Sequence, residues 1–152
     1  MSKICKDRVV IITGAGGGLG AAHARVLVSE GACVVVNDIN AAAAGKVVEE
    51  IIAAGGRAVV NTSDITNYND SLNAVKQALA TFGDLHAVVN NAGINRDRMF
   101  ASMTEEDWDL IMAVHLKGHF CISSHAVHYW RGRSKEGKPV DARIINTSSG
   151  AG

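Results

Sequence analysis

Short runs of apolar, β-branched residues alternate along this chain with longer stretches of helical period. Val9–Thr13 is an apolar strand that leads straight into glycines, and Cys33–Asn37 is a second. Between them, residues 19–30 read as a helix that Gly31 closes. The alternation continues with a helix over 40–54 stopped by Gly55 and Gly56, a strand over 57–62, and a helix over Tyr68–Phe82 ending at Gly83. A fourth strand covers 86–90. Thr104 then opens a long helix, with Glu106 and Asp107 in the first turn, where acidic groups complement the macrodipole. Its Trp108, Ile111, Met112 and Leu116 fall on one face. Near Arg131 the chain turns polar, residues 134–139 read as a surface loop, and 142–147 form a fifth strand. Strands apolar on both faces, each followed by a helix, predict an α/β fold: a doubly wound, Rossmann-type parallel sheet with helices on both sides.

Composition narrows the function classes. The chain has 152 residues, which predicts one domain, and its 47% hydrophobic and 20% charged residues are those of an ordinary globular protein. Lys plus Arg equals Asp plus Glu, 15 each, so charge gives no argument for a nucleic-acid or membrane partner. Cys5, Cys33 and Cys121 are widely spaced and form no C-x-x-C, and the first residues lack the apolar core of a signal peptide. A reducing, cytoplasmic location is the resulting expectation. Sixteen glycines stand against one proline, and their clustering points to tight turns and close backbone approach.

The densest cluster is Thr13-Gly14-Ala15-Gly16-Gly17-Gly18-Leu19-Gly20, set between the first strand and the first helix. A helix N-terminus offers free N–H groups and a positive dipole end to a pyrophosphate, and glycine lets the backbone come close. Gly14, Gly16, Gly18, Leu19 and Gly20 are therefore candidate cofactor contacts. No Lys-Ser or Lys-Thr follows the last glycine, which excludes a P-loop. Asp38, eighteen positions after Gly20, ends the second strand. A carboxylate there holds the adenosine ribose hydroxyls and repels a 2′-phosphate, favouring NAD over NADP. Asp64, with Ile65 beside it, follows the third strand; its carboxylate suits either the adenine amino group or a helix N-cap.

Asn90-Asn91-Ala92-Gly93 follows the fourth strand at the same sheet edge. With the glycine run and Asp38, this segment resembles the short-chain dehydrogenase/reductase family, from about Asp7 to the last residue. The resemblance implies cofactor contact for Asn91, Ala92 and Gly93 and a structural role for Asn90. It also implies that Ser149, in Asn146-Thr147-Ser148-Ser149, is the catalytic serine that hydrogen-bonds the reacting oxygen.

Two departures accompany the match. The family's Tyr-x-x-x-Lys acid–base pair has no counterpart here: neither Tyr68 nor Tyr129 has a Lys four residues on. The chain is thus expected to be the cofactor-binding part, residues 1–152, of a longer enzyme. His115 stands where many members carry an Asn that holds a proton-relay water. An imidazole can serve the same relay, or can simply pack on the helix's inner face. That His, with Asn91 to Arg98, is similar to the (3R)-hydroxyacyl-CoA dehydrogenase units of multifunctional enzymes and their bacterial relatives. The resemblance implies an NAD-dependent oxidoreductase acting on a 3-hydroxyacyl/3-ketoacyl-CoA pair, with hydroxysteroids as the alternative substrate. Arg96 and Arg98 are either contacts for CoA phosphates or ordinary surface charges. A homodimer or homotetramer paired through the long helix is expected. His115/His119 and His125/His128 have helical spacing, but no carboxylate or cysteine completes a metal set, so no metal is expected. The rival reading is a non-catalytic dinucleotide-binding module.

Overall fold

A computed structural model describes residues 3–150. Five parallel strands form one sheet in the order β3-β2-β1-β4-β5: β1 Val9–Thr13, β2 Cys33–Asn37, β3 Arg57–Asn61, β4 Ala87–Asn90 and β5 Arg143–Asn146. The crossovers are α1 Gly18–Ser29, α2 Ala41–Ala53, α3 Tyr68–Phe82 and a composite helix before β5. The order reverses between β1 and β4, and at such a switch point the flanking loops diverge to leave a crevice at the carboxyl ends of the strands.

Alternation along β1 and β2 divides the core into two layers. Val9, Ile11, Cys33 and Val35 face one side, against Ala74, Val75 and Ala78 of α3 and Ile122, Ala126 and Trp130 of the last helix. Val10, Ile12, Val34 and Val36 face the other, against Ala21 and Ala24 of α1 and Ala44, Val47 and Ile51 of α2. Period-two burial on both faces is what a continuous apolar strand needs. Asn40 caps α2, its side chain accepting from Ala43 N–H, and Asn67 caps α3 by accepting from Asp70 N–H.

The long helix differs from its expected form. Thr104 does cap it, accepting from Asp107 N–H, but the helix has three parts: α4 Glu105–Met112, a π-helical turn Ala113–Lys117, and α5 Gly118–Lys135. A π turn carries one extra residue and rotates the helix beyond it, so the periodicity of one segment does not carry into the next. Trp108 and Met112 before the turn, Leu116 within it and Phe120 after it are all exposed, an apolar strip on the outside of the molecule. Among the described residues, no helix is long and apolar enough to cross a membrane.

At the amino end of the sheet a cavity of about 220 Å³ lies between Arg8, Asp84, His86, Trp130, Arg133 and Asp141. Its charges already pair internally, Arg8 with Asp141 and Arg133 with Asp84 at 3.6 Å. The opposite, carboxyl end carries the larger crevice.

Candidate cofactor-binding and active site

The crevice has a volume of about 540 Å³. Gly14 and Gly17 line it, as do Asp38, Asp64 and Ile65, and the segment Asn91–Ala92–Gly93–Ile94. These come from four strand ends, which only a parallel sheet brings to one edge.

The glycine turn is shaped by close approach on one side and openness on the other. A Cβ on Gly14, whose φ is 61°, would lie 2.7 Å from Ala92 Cα, and one on Gly20 would lie 2.4 Å from the Gly14 carbonyl oxygen. Around Gly17 and Gly18, by contrast, nothing lies within 4 Å of a built Cβ. Unlike α2, α3 and α4, α1 starts without a side-chain cap. Its first N–H groups therefore face open space, as an anion cradle requires. These features fit a dinucleotide pyrophosphate. Leu19, 65% exposed in the first turn, does not line the crevice, and neither do Gly16, Gly18 and Gly20, which shape the turn around it.

Asp38 sits against this turn. Its Oδ2 accepts from Gly16 N–H at 3.0 Å and its Oδ1 from Asn40 N–H at 2.9 Å, which fixes the carboxylate between the turn and the start of α2. The N-cap alternative for Asp64 gives way to Asn67, which caps α3. Asp64 instead closes a tight turn, its Oδ1 accepting from Thr66 N–H and from the Thr66 hydroxyl.

Across the switch point, the Thr13 hydroxyl accepts from the N–H groups of Asn91 and Ala92, both at 3.0 Å. The Asn91 amide donates to the Thr13 carbonyl at 3.2 Å. Asn90 is buried and donates to Ser123 Oγ and Asn146 Oδ1, joining β4 to α5 and β5. The Thr147 hydroxyl donates to Asn91 Oδ1 at 3.3 Å, tying the start of the Thr147-Ser148-Ser149 run to the crevice wall. Ser149 is exposed two residues further on.

His115 lies on the π turn at an exposed position, with its ring against the segment after β4. Its Nε2 is 2.7 Å from the Ile94 carbonyl oxygen and 3.0 Å from Ile94 N, the tautomer deciding which contact is the hydrogen bond. A Cβ on Gly93 would come within 2.9 Å of this ring, so glycine is what lets the imidazole reach the segment. One turn on, burial holds the His119 imidazole below the usual histidine range, opposed by a hydrogen bond to the Ala92 backbone and reinforced by His115. With a folded value below the unfolded one of about 6.5, His119 contributes stability that is fully present above that pH and is lost as pH falls from there through the lower folded value. His119→Gln is therefore expected to flatten the fall in melting temperature on acidification from neutrality; an unchanged profile would remove His119 as its source.

Arg98 is engaged within the protein: its Nε is 2.5 Å from Asp107 Oδ2, and Arg96 Nε lies 3.9 Å from Oδ1. Burial tends to raise the Asp107 carboxyl, but the Thr104 hydroxyl and the Arg98 guanidinium outweigh it and hold the group below its ordinary range. The pair ties the loop after β4 to the first turn of α4. Among the described residues, no group of three His, Cys, Asp or Glu side chains could hold a metal ion.

Several lining residues were not singled out in the sequence. Ile39, 75% exposed directly after Asp38, and Thr66, Leu110 and Val114 all line the crevice. Ile39 had a readable signal, an apolar residue outside any helical or strand period at a polar strand end; Leu110 and Val114 had none.

Comparison with known proteins defines the class. The short chain dehydrogenase family model matches residues 8–152, and the chain belongs to that family. Hydroxyacyl-CoA dehydrogenase ChsB1 of Mycobacterium tuberculosis is 46% identical over 152 aligned residues, 95% of this chain and 48% of that protein. Peroxisomal multifunctional enzyme type 2 of mouse is also 46% identical, over 95% of this chain and 20% of its own length. A short chain dehydrogenase from Mycobacterium avium superposes with a TM-score of 0.95 at 53% identity, covering 98% of this chain and 56% of that one. A 3-ketoacyl-(acyl-carrier-protein) reductase from Brucella melitensis, complexed with NADH, gives 0.86 at 31%, covering 95% and 58%. The chain thus spans between a fifth and three fifths of the length of each of these proteins.

Proposed function

We propose that the whole protein is an NAD-dependent oxidoreductase that interconverts a 3-hydroxyacyl-CoA and its 3-ketoacyl-CoA. The observation that carries this reading is the crevice at the switch point, with an uncapped helix start on one wall and the fixed Asp38 carboxylate on another. The substrate class is supported by the similarity to the hydroxyacyl-CoA dehydrogenase and the multifunctional enzyme, and the dinucleotide by the NADH complex of a structural neighbour.

A nicotinamide dinucleotide held in the crevice would supply the redox chemistry, a hydride acceptor for the carbinol carbon. The protein's own residues bind and orient. Gly14 to Gly20 would cradle the pyrophosphate, Asp38 would receive the adenosine ribose hydroxyls, and Asp64 and Ile65 would meet the adenine. Asn91, Ala92 and Gly93 form the opposite wall, and Ser149 donates to the substrate oxygen as its charge changes. The family resemblance assigns the hydroxyl proton to a Tyr-x-x-x-Lys pair, which residues 1–152 do not contain, so the role proposed for these residues is cofactor binding and orientation. His115 holds Ile94 through Nε2 and offers its other ring nitrogen to a relay water. His115→Ala in the full-length enzyme is expected to lower kcat about 10- to 100-fold while NADH affinity changes little. An equal loss in both would reduce His115 to a prop for the crevice wall.

The same reading makes the protein an oligomer paired through the exposed strip of Trp108, Met112, Leu116 and Phe120. Leu116→Arg is expected to shift the wild-type dimer or tetramer to smaller species in sedimentation; a wild-type profile would place the interface elsewhere. The enzymatic reading is tested by offering the full-length protein (3R)-hydroxyacyl-CoA, its (3S) isomer and a hydroxysteroid with NAD. Reduced nicotinamide is expected with the first alone, and turnover of the steroid alone would replace the substrate class.

A further inference from the structure

We propose that a buried amide ladder, Asn37–Asn61–Gln77, is the positioning device that sets the adenosine end of the crevice. The proposal rests on the crevice being a dinucleotide site. Asn37 and Asn61 are the last residues of β2 and β3 and stand opposite each other in register. Asn37 closes the apolar run 33–36 and Asn61 the run 58–60, and they are 2% and 6% exposed. A buried amide costs stability unless its groups are paired, and an aliphatic residue is the undemanding occupant of such a strand end.

The pairing shows what the amides hold. Asn37 Nδ2 donates to Asn61 Oδ1 at 2.8 Å and to the Ser63 carbonyl at 3.0 Å, while Ser63 N–H donates to Asn61 Oδ1 at 3.2 Å. The residue before Asp64 is thus gripped at both its N–H and its C=O. Asn61 Nδ2 donates to Gln77 Oε1 at 2.8 Å, and Gln77 Nε2 donates to the Val60 carbonyl at 2.7 Å, which anchors the ladder to α3. The backbone extends it in the other direction: the Asn37 carbonyl accepts from Ala15 N–H in the glycine turn at 2.9 Å, and Asp38 N–H donates to the Asn61 carbonyl at 3.0 Å. Glycine turn, Asp38 and the Asp64–Ile65 wall therefore meet at one pair of residues, the first two through backbone bonds and the last through the amide side chains. A network satisfied in this way fixes relative positions to within a hydrogen bond's tolerance.

The test uses full-length protein, with NADH fluorescence, ADP-ribose competition and steady-state kinetics. Asn37→Leu is expected to weaken both NADH and ADP-ribose about tenfold, while kcat at saturating NAD and KM for the acyl substrate stay within about twofold. Should that variant not fold, the partly buried rung decides. Gln77→Met removes the acceptor for Asn61 and is expected to weaken ADP-ribose about threefold. Folded variants with a lower melting temperature but unchanged ADP-ribose affinity would overturn the proposal and leave the ladder a packing feature. Wild-type protein that binds neither NADH nor ADP-ribose would overturn the dinucleotide reading, and the ladder's role with it.

Discussion

Gly20→Ala in the full-length protein is expected to weaken dinucleotide binding by at least about 100-fold, or about 2.7 kcal/mol. Gly20 lies in the first turn of α1, where the helix meets both the glycine turn and the segment after β4. An added Cβ would sit 2.4 Å from the Gly14 carbonyl oxygen, 2.7 Å from Asn91 Nδ2 and 2.9 Å from Ala15 Cα. Two of these neighbours are backbone, so the strain is relieved only if the turn moves away from the helix. The Asn91 amide, which bonds the Thr13 carbonyl, would move with it. Overpacking of this kind costs about 1–3 kcal/mol, so the melting temperature falls too. Gly45→Ala is the control: in α2, with nothing within 4 Å of its Cβ, it exchanges a poor helix former for a good one. It is expected to raise stability by about 0.5–1 kcal/mol and leave binding alone. Retained NADH affinity in Gly20→Ala would mean that the cradle is not the phosphate site.

Asp38→Ser is expected to reverse cofactor preference. The wild-type carboxylate is held by the N–H groups of Gly16 and Asn40, so it cannot swing away from a ligand at low cost. A 2′-phosphate placed beside it would meet a fixed like charge, whereas ribose hydroxyls meet two acceptors. With the charge removed, NADH is expected to lose about tenfold or more in affinity and NADPH to gain, so that their ratio shifts about 100-fold. An unchanged ratio would place the selectivity elsewhere, and Ile39, the exposed neighbour that also lines the crevice, is the next residue to examine.

Much of the fold was legible because the chain punctuates its elements with glycine and buries its strands on both faces. β1, β2 and α3 fall where the apolar runs and Gly83 put them. The long helix was only half legible. Its cap and first turn follow from Thr104, but a π turn leaves no mark in a period count, and the strip from Trp108 to Leu116 indicates a face without its direction.

At the site, local motifs could be read and cross-strand relations could not. The glycine run and Asp38 carry their chemistry in adjacent residues. The Asn37–Asn61 pairing depends on register between strands joined by a whole helix, which no local pattern states. His115 was placed on the right helix, but its hold on Ile94 depends on the extra residue of the π turn and on the missing Cβ of Gly93. Arg98 had two readings by sequence, and only the position of Asp107 shows that it is held within the protein.

The most direct test is a titration of the full-length wild-type protein with NADH and with NADPH at one ionic strength, monitored by nicotinamide fluorescence. Saturable binding of NADH is expected, at least about tenfold tighter than that of NADPH and competed by ADP-ribose. Equal or tighter binding of NADPH would contradict the role given to Asp38, and no binding of either would contradict the reading of the crevice itself.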